Sequence, residues 1–514
     1  MKKFINIGWS SLVYFNTSMV TKYVFVIFVL IVSTACNNSG SKTYYISSQD
    51  DFDKYSGTTF PEGSMILFAT GKVFEGQFVF YGSGTAEKPN VIAAYDPDTK
   101  TILREWIENK PVINGLGKVA SPVFLYNGQF WEINNLEVTN TNGSKVEQGK
   151  LTGIKVTAKD MGTVENIIIT NCYVHHVNGD VGGKETGGIH VEVEGDSVKT
   201  IFHRLLIENN IVKNVGGVGI SNKSSWGNIN SETYYPWTEF IIRGNRVEHT
   251  GRNGIIVRYS VNPIVEYNVA AFNSRFDTGH SIFNFNTTGC IVQYNEAYGN
   301  TSLNPEDIDH GGFDADYNSR GTIIQYNYSH DNNWFCGIMR RGVNVDVTIR
   351  YNISQNDLLG AYLYGFPTEK GLQNVKIYNN THYFGKGKGN RIFVRAGKER
   401  VPIETVFSNN IFYFEDEAVW GFEPDNTCVF RNNLFYNVIS KGENAITADP
   451  LLLNPGTGGT NINMRDPERL SGYRLKENSP CLEGGATISE NGKKDFWGNA
   501  LYNGLPDIGA YENR

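Results

Sequence analysis

The chain has 514 residues, 55 of them glycine, with 13% aromatic and 19% charged residues and a formal net charge of −7. Abundant glycine and aromatics with few charges describe an all-β chain full of turns, and the acidic balance argues against nucleic acid as a partner. Length alone would allow two or more domains, but the internal repeat described below makes one elongated unit the better expectation.

At the amino end, Lys2 and Lys3, or Lys22 if translation begins at Met19, precede the apolar run 23–32, which is too short for a comfortable membrane span. Small residues Ser33, Thr34 and Ala35 lead into Cys36. Residues 1–36 resemble a bacterial lipoprotein signal, in which the cysteine is lipidated. Ser33 stands where such signals usually carry Leu, and an ordinary secretory signal is the alternative. The resemblance implies an exported protein held by a lipid on Cys36 to the outer membrane, at the cell surface or the periplasmic face, with a soluble periplasmic form as the alternative. Residues 37–42 read as a polar tether and 43–514 as a single domain, expected to be monomeric. The other cysteines, Cys172, Cys290, Cys336, Cys428 and Cys481, lack metal-ligand spacing and read as buried thiols.

From there the chain repeats one local setting, a β-branched or aromatic approach, then Asn, then an apolar residue. The asparagines are Asn135, Asn171, Asn210, Asn245, Asn268, Asn295, Asn327, Asn352, Asn380, Asn410 and Asn433. They recur every 23 to 39 residues, the period of a supersecondary unit with insertions. Words such as "FIIRGNRV", "CIVQYNEA" and "VTIRYNIS" are too short for helices and too rich in Ile, Val and Tyr for loops. Asn tolerates a left-handed backbone and suits a sharp corner. Stacked coils would bring equivalent side chains to ~4.8 Å, close enough for an internal amide ladder. The expected fold is therefore all-β, a single-stranded right-handed parallel β-helix with capping segments at both ends.

Both ends carry a family resemblance. Residues 43–115, with "TYYISSQDDFDKYSG", "GSMILFATGKVFEGQFVFYGSGTAEKPNVIAAYDP" and "KPVINGLG", resemble the opening coils of bacterial right-handed β-helix polysaccharide lyases and glycoside hydrolases. Residues 445–514, with "ADPLLLNP", "YRLKENSPCLEGGA", "DFWGN" and "PDIGAYE", resemble the closing segment of the same superfamily. The resemblance implies a carbohydrate-active enzyme and leaves the reaction open.

Aligning the strand after each inter-coil loop predicts which side chains face outward, because alternate residues of a strand point to opposite sides. One outward column holds His190, Ser221, Ile256, Phe283, Asp314, Met339, Leu363 and Phe393. The other holds Glu192, Lys223, Arg258, Phe285, Asp316, Arg341, Gly365 and Arg395. In this register Arg340 points inward, which suggests a local slip. Phe283 and Phe285 would serve as platforms beneath a sugar ring, with Glu192 at its polar edge. Lys223, Arg258, Arg341 and Arg395 form a cationic strip suited to a carboxylate or sulfate. Glu192 beside Lys223, and Asp316 beside Arg341, would equally make ordinary cross-strand ion pairs.

The loop "NPEDIDHGGFDAD" concentrates Glu306, Asp307, Asp309 and His310 ahead of Asp314 and Asp316. Clustered acids suggest either ligands for a hard metal such as calcium or a carboxyl with a raised pKa, and no dense calcium-loop motif is present. His280, one coil away, and His310 are candidate bases.

Two reactions fit this face. In the favoured one, an acidic poly- or oligosaccharide loses a C4 substituent by β-elimination at a uronic acid, as a lyase or as a dehydratase at the chain end. Lys223 or His190 would be the base, Arg258 and Arg341 the carboxylate clamp, and Asp314 or His310 the proton donor. The alternative is glycoside hydrolysis by Asp314 and Asp316, ~6.7 Å apart by strand geometry and so at the short end of the inverting separation. A non-catalytic glycan-binding adhesin is the third class.

Overall fold

The structure is a computed structural model that describes residues 42–143, 149–301, 309–339, 342–365, 372–395, 403–502 and 504–513. Residues 41–514 make one compact unit. Cys36, Glu306, Asp307 and Arg341 lie outside the described residues.

The chain winds as a right-handed parallel β-helix. Three sheets of 16, 13 and 12 strands run its length among the described residues, and strands neighbouring in a sheet come from successive coils. Among the described residues, the named strands pair in parallel except Asn90–Tyr95 with Ile102–Leu103. In a representative coil, Thr152–Lys159 belongs to the third sheet, Thr163–Thr170 to the first and Tyr173–Val177 to the second. The inward residues stack by register: Ile189, Ile220, Ile255, Ile282, Phe313, Cys336, Tyr362 and Phe393 form one buried column. Each such side chain contributes roughly 1.5–3 kcal/mol by leaving water.

The turn from the first sheet to the second explains the repeated asparagine, and corrects the reason expected for it. In the nine residues from Asn210 to Asn433, each Nδ2 donates to the Oδ1 of the next asparagine at 2.9–3.0 Å. The same Oδ1 accepts the backbone N–H of the preceding asparagine at 2.9–3.1 Å. The left-handed residue is the one before: Asn209, Gly244, Tyr267, Tyr294, Tyr326, Tyr351, Asn379, Asn409 and Asn432, with φ between 48° and 65°. Tyr267, Tyr294 and Tyr326 tolerate that conformation while stacking at 5.0 and 5.1 Å. Asn135 and Asn171 occupy this left-handed position themselves, and their coils place Leu136 and Cys172 in the ladder column.

The helix Gln49–Tyr55 closes the first coils. Ser48 and Asp51 form a capping box at its start, and Phe52 packs against Phe68, Phe74 and Phe78. Residues 445–513 are mostly irregular and run back along the flank of the coils. Leu452, Leu470 and Tyr473 pack on Tyr328, Ile353, Tyr383 and Ile411 of the second sheet, and the Ile462 N–H donates to Glu296. The five cysteines of the described residues are free, all but Cys428 fully buried.

Candidate active site

The outward face of the third sheet carries a cleft of about 300 Å3 at the coils of Arg258, Phe283 and Asp314. Residues 178–186 and 272–281, which lead into this sheet, wall one edge. The Arg252 guanidinium ties them together, donating to the Val181 and Gly182 carbonyls and pairing with Asp277 at 2.7 Å. At the other edge, the connection 225–236 reaches across several coils, with the Ile229 N–H on Asn286 and Asn230 on Asn318.

The register places Ile256, Phe283 and Asp314 in one outward column and Arg258 and Phe285 in the other, as expected from the sequence. Beyond that the alignment slips by two residues. Asp314 faces Gly337, not Met339, and Met339 stands beside Gly365, in the column of Asp316. One coil on, Leu363 faces Val394, so Arg395 pairs by register with Tyr364 rather than with Gly365. The glycine at 337 is functional in shape. A Cβ there would lie 2.8 Å from the His280 ring and 2.9 Å from the Asp314 carboxyl.

Asp314 and His280 form the centre of the site. His280 Nε2 lies 2.9 Å from Asp309 Oδ1 and 3.4 Å from Asp314 Oδ2. Burial alone would favour neutral His280, but the carboxylates of Asp314 and Asp309 outweigh it and hold its pKa up at about 9. Asp309 is held well below the usual carboxylate range, because His280 and the Thr278 hydroxyl, 2.6 Å away, overcome the cost of burial. Burial pushes Asp314 well above that range despite His280, with Asp316 and Asp309 adding to the rise. The two carboxyls beside the one imidazole are therefore driven in opposite directions, Asp309 towards its ionised form and Asp314 towards its protonated form. Asp314 Oδ1 is buried with no hydrogen-bond partner.

Asp316, the next outward residue of the same strand, is pushed up to about 6 by burial, against the pull of Lys184 and of the Tyr317 N–H, which donates to it at 2.8 Å. The Lys184 ammonium, lowered by burial, lies 4.8 Å over the Phe283 ring. Phe285 and Tyr317 pack edge to face at 5.0 Å and continue the aromatic floor.

The remaining expected residues belong to another environment. His190, Ser221 and Glu192 form a buried chain, with His190 Nδ1 2.8 Å from Ser221 Oγ and Nε2 3.2 Å from Glu192. Burial lowers the His190 pKa. Glu192 pairs with Lys155 at 2.6 Å rather than with Lys223, and His190 and Lys155 hold it ionised against burial. Lys223, about half exposed, lies 3.8 Å from Glu185, which also faces Arg258 at 3.9 Å. A shared carboxylate therefore offsets the like charges of Lys223 and Arg258, two members of the expected cationic strip. His310 is buried and adds to the field on Asp309. Asn222, inward on the strand between His190 and Arg258, donates its amide to the Arg258 carbonyl and accepts the Arg258 N–H. Among the described residues, no group of three or more His, Cys, Asp or Glu is arranged to hold a metal ion.

The sequence singled out Asp314, Asp316 and the two Phe rings but missed how Gly337 completes the site. Gly337 was hidden by the slipped register.

No protein-family model matches the chain. A lacto-N-biosidase of Bifidobacterium longum subsp. longum is 26% identical over 93% of this chain and 37% of its own length, so this chain spans little more than a third of that relative. The crystal structure of GH136 lacto-N-biosidase from Eubacterium ramulus superposes with a TM-score of 0.54 at 20% identity, over 70% of this chain and 68% of that one. Its selenomethionine derivative gives the same TM-score at 21% identity, over 70% and 67%. These structures establish the shared fold. The uronate β-elimination favoured on the sequence is overturned, since the sequence relative is a glycosidase and not a carbon–oxygen lyase.

Proposed function

We propose that this protein is a glycoside hydrolase that releases lacto-N-biose from oligosaccharides, the activity named for its bifidobacterial relative. The observation that carries the reading is a buried carboxyl, Asp314, set two residues from a second carboxyl, Asp316, over an aromatic floor, with burial driving Asp314 well above the usual carboxylate range. Hydrolysis of a glycosidic bond needs one carboxyl that gives a proton and one that is ionised.

In this mechanism Asp314 protonates the leaving glycosidic oxygen. Asp316, ionised above a pH of about 6, acts at the anomeric carbon. Strand geometry separates the pair by ~6.7 Å, at the short end of the inverting range. Water supplies the new hydroxyl and its remaining proton restores Asp314. The Asp309–His280 ion pair stands against Asp314 and positions its carboxyl, while burial favours the protonated form against the pull of His280. Phe283 and Phe285 carry the apolar face of a sugar, and Lys184, Arg252 and Arg258 line its polar edge.

The test is hydrolysis of an aryl β-lacto-N-bioside beside aryl monosaccharides and uronate oligosaccharides. Release of the intact disaccharide is expected, with rate falling below pH 6 as Asp316 takes a proton and falling again when Asp314 loses its own. NMR of the first-formed anomer decides whether Asp316 activates water or bonds to the sugar. Absence of any disaccharide release would overturn the reading.

A further inference from the structure

A second cleft, of about 490 Å3, lies on the other side of the loops that wall the catalytic one. It is lined at the end of the second sheet by Val177–Gly179, Asn214–Gly216 and His249, and closed by Arg275 and Phe276. Both loops contribute to both clefts. Val181 lines the second and Lys184 the first, while Phe276 lines the second and Thr278 and His280 the first. The partition between them is the Arg252 tie to Val181, Gly182 and Asp277.

The chemistry of the second cleft is that of a neutral polar ligand with flat faces. Phe276 is 68% exposed and Phe272 is 40% exposed, an unusual exposure for two rings on one loop. His249 stacks on Phe272 at 5.1 Å. Arg275 Nε and His249 Nδ1 are buried atoms without a hydrogen-bond partner, so each has a hydrogen bond to offer or accept that the protein does not satisfy. Asn214 adds an amide at the rim. Aromatic faces beside unsatisfied polar nitrogens match the alternating apolar faces and hydroxyl edges of a sugar.

We propose that this cleft is a distal saccharide subsite, which holds the portion of a neutral oligosaccharide remote from the bond cleaved over Asp314. The inference rests on the glycosidase reading for its role, and on the cleft alone for binding. A chain spanning both clefts passes over the Arg252 partition, and Phe276 provides the platform at its far end.

Phe276→Ala and Arg275→Gln test it, with unchanged thermal unfolding as the control for folding. For a long neutral oligosaccharide, KM is expected to rise about tenfold with kcat retained, while KM for an aryl disaccharide that reaches only the catalytic cleft stays constant. Equal changes for both substrates, or none for either, would overturn the subsite. If no hydrolysis is found at all, saturation-transfer NMR with Asp314→Asn separates the two ideas: saturation of the oligosaccharide that disappears in the Asp314→Asn, Phe276→Ala double variant upholds the subsite, and identical saturation refutes it. A shift from dimer to monomer on Phe276→Ala, measured by sedimentation, would make the exposed ring a protein contact and also refute it.

Discussion

The corner between the first and second sheets and the outward face of the third sheet are built from the same coils, yet they treat buried polar groups in opposite ways. At the corner, nine asparagines satisfy one another and the backbone along the whole ladder. On the outward face, Asp314 is buried with an unpaired oxygen, an imidazolium stands between two carboxyls, and a lysine is pressed onto a ring. Repetition with complete hydrogen bonding marks scaffold, because any coil can extend it. Unmatched buried charge is costly and persists where a ligand or a reaction gives it a use.

The largest effect should come from the outward face. Asp314→Asn keeps the shape and removes the transferable proton, so kcat for an aryl lacto-N-bioside should fall about 10³-fold with thermal stability unchanged or raised. A loss of stability instead would make Asp314 a scaffold residue and erase the contrast. The ladder should answer in reverse. Asn295→Ala removes the acceptor of the Asn268 amide and backbone N–H and the donor to Asn327, and should cost about 3 kcal/mol in urea unfolding. Unchanged stability there would show that the ladder is ornamental.

A third experiment sharpens the comparison at a place where order and charge meet. A shorter ladder, Asn273, Asn300 and Asn332, ends on Asp357, which accepts the Asn332 N–H at 3.0 Å and hydrogen bonds from Ser329 and Ser354. Burial pushes its pKa up to about 7, against those hydrogen bonds. A folded pKa above the unfolded one adds stability below about pH 4, and that stability is lost as pH rises towards 7. Asp357→Asn should therefore leave acid stability nearly unchanged and gain on the order of 2 kcal/mol at pH 8, read by unfolding at both pH values. Equal stability differences at the two pH values would mean that Asp357 is ionised in the fold. The smallest effect belongs to Gly337→Ala. The added methyl crowds His280 and Asp314, so kcat should drop about tenfold with little change in stability.

Much of the scaffold was legible because the repeat is one-dimensional. Hydrophobic alternation and a returning asparagine specify a coil, and register carries Phe283 next to Asp314 without further information. Legibility failed where a coil lost its marker. The strand Trp334–Met339 places the bulky Phe335 where the preceding coil has Gly312, so an alignment that looks for the next small residue lands on Gly337, two positions late. The cationic strip failed for a different reason. Lys223, Arg258 and Glu192 were correctly placed along the strands, yet their partners Glu185 and Lys155 come from a loop and from a neighbouring coil that the columns did not include.

By itself the sequence determined the parallel coil, its inward columns and the amide ladder, since these depend on residues a fixed number of positions apart and on a spacing common to all sheets. Only the tertiary structure decided which carboxyl is driven towards its protonated form. That depends on the depth of Asp314, on His280 from the preceding coil and on Asp309 from the loop before it, and electrostatic balance is set by distances and burial that no periodicity encodes.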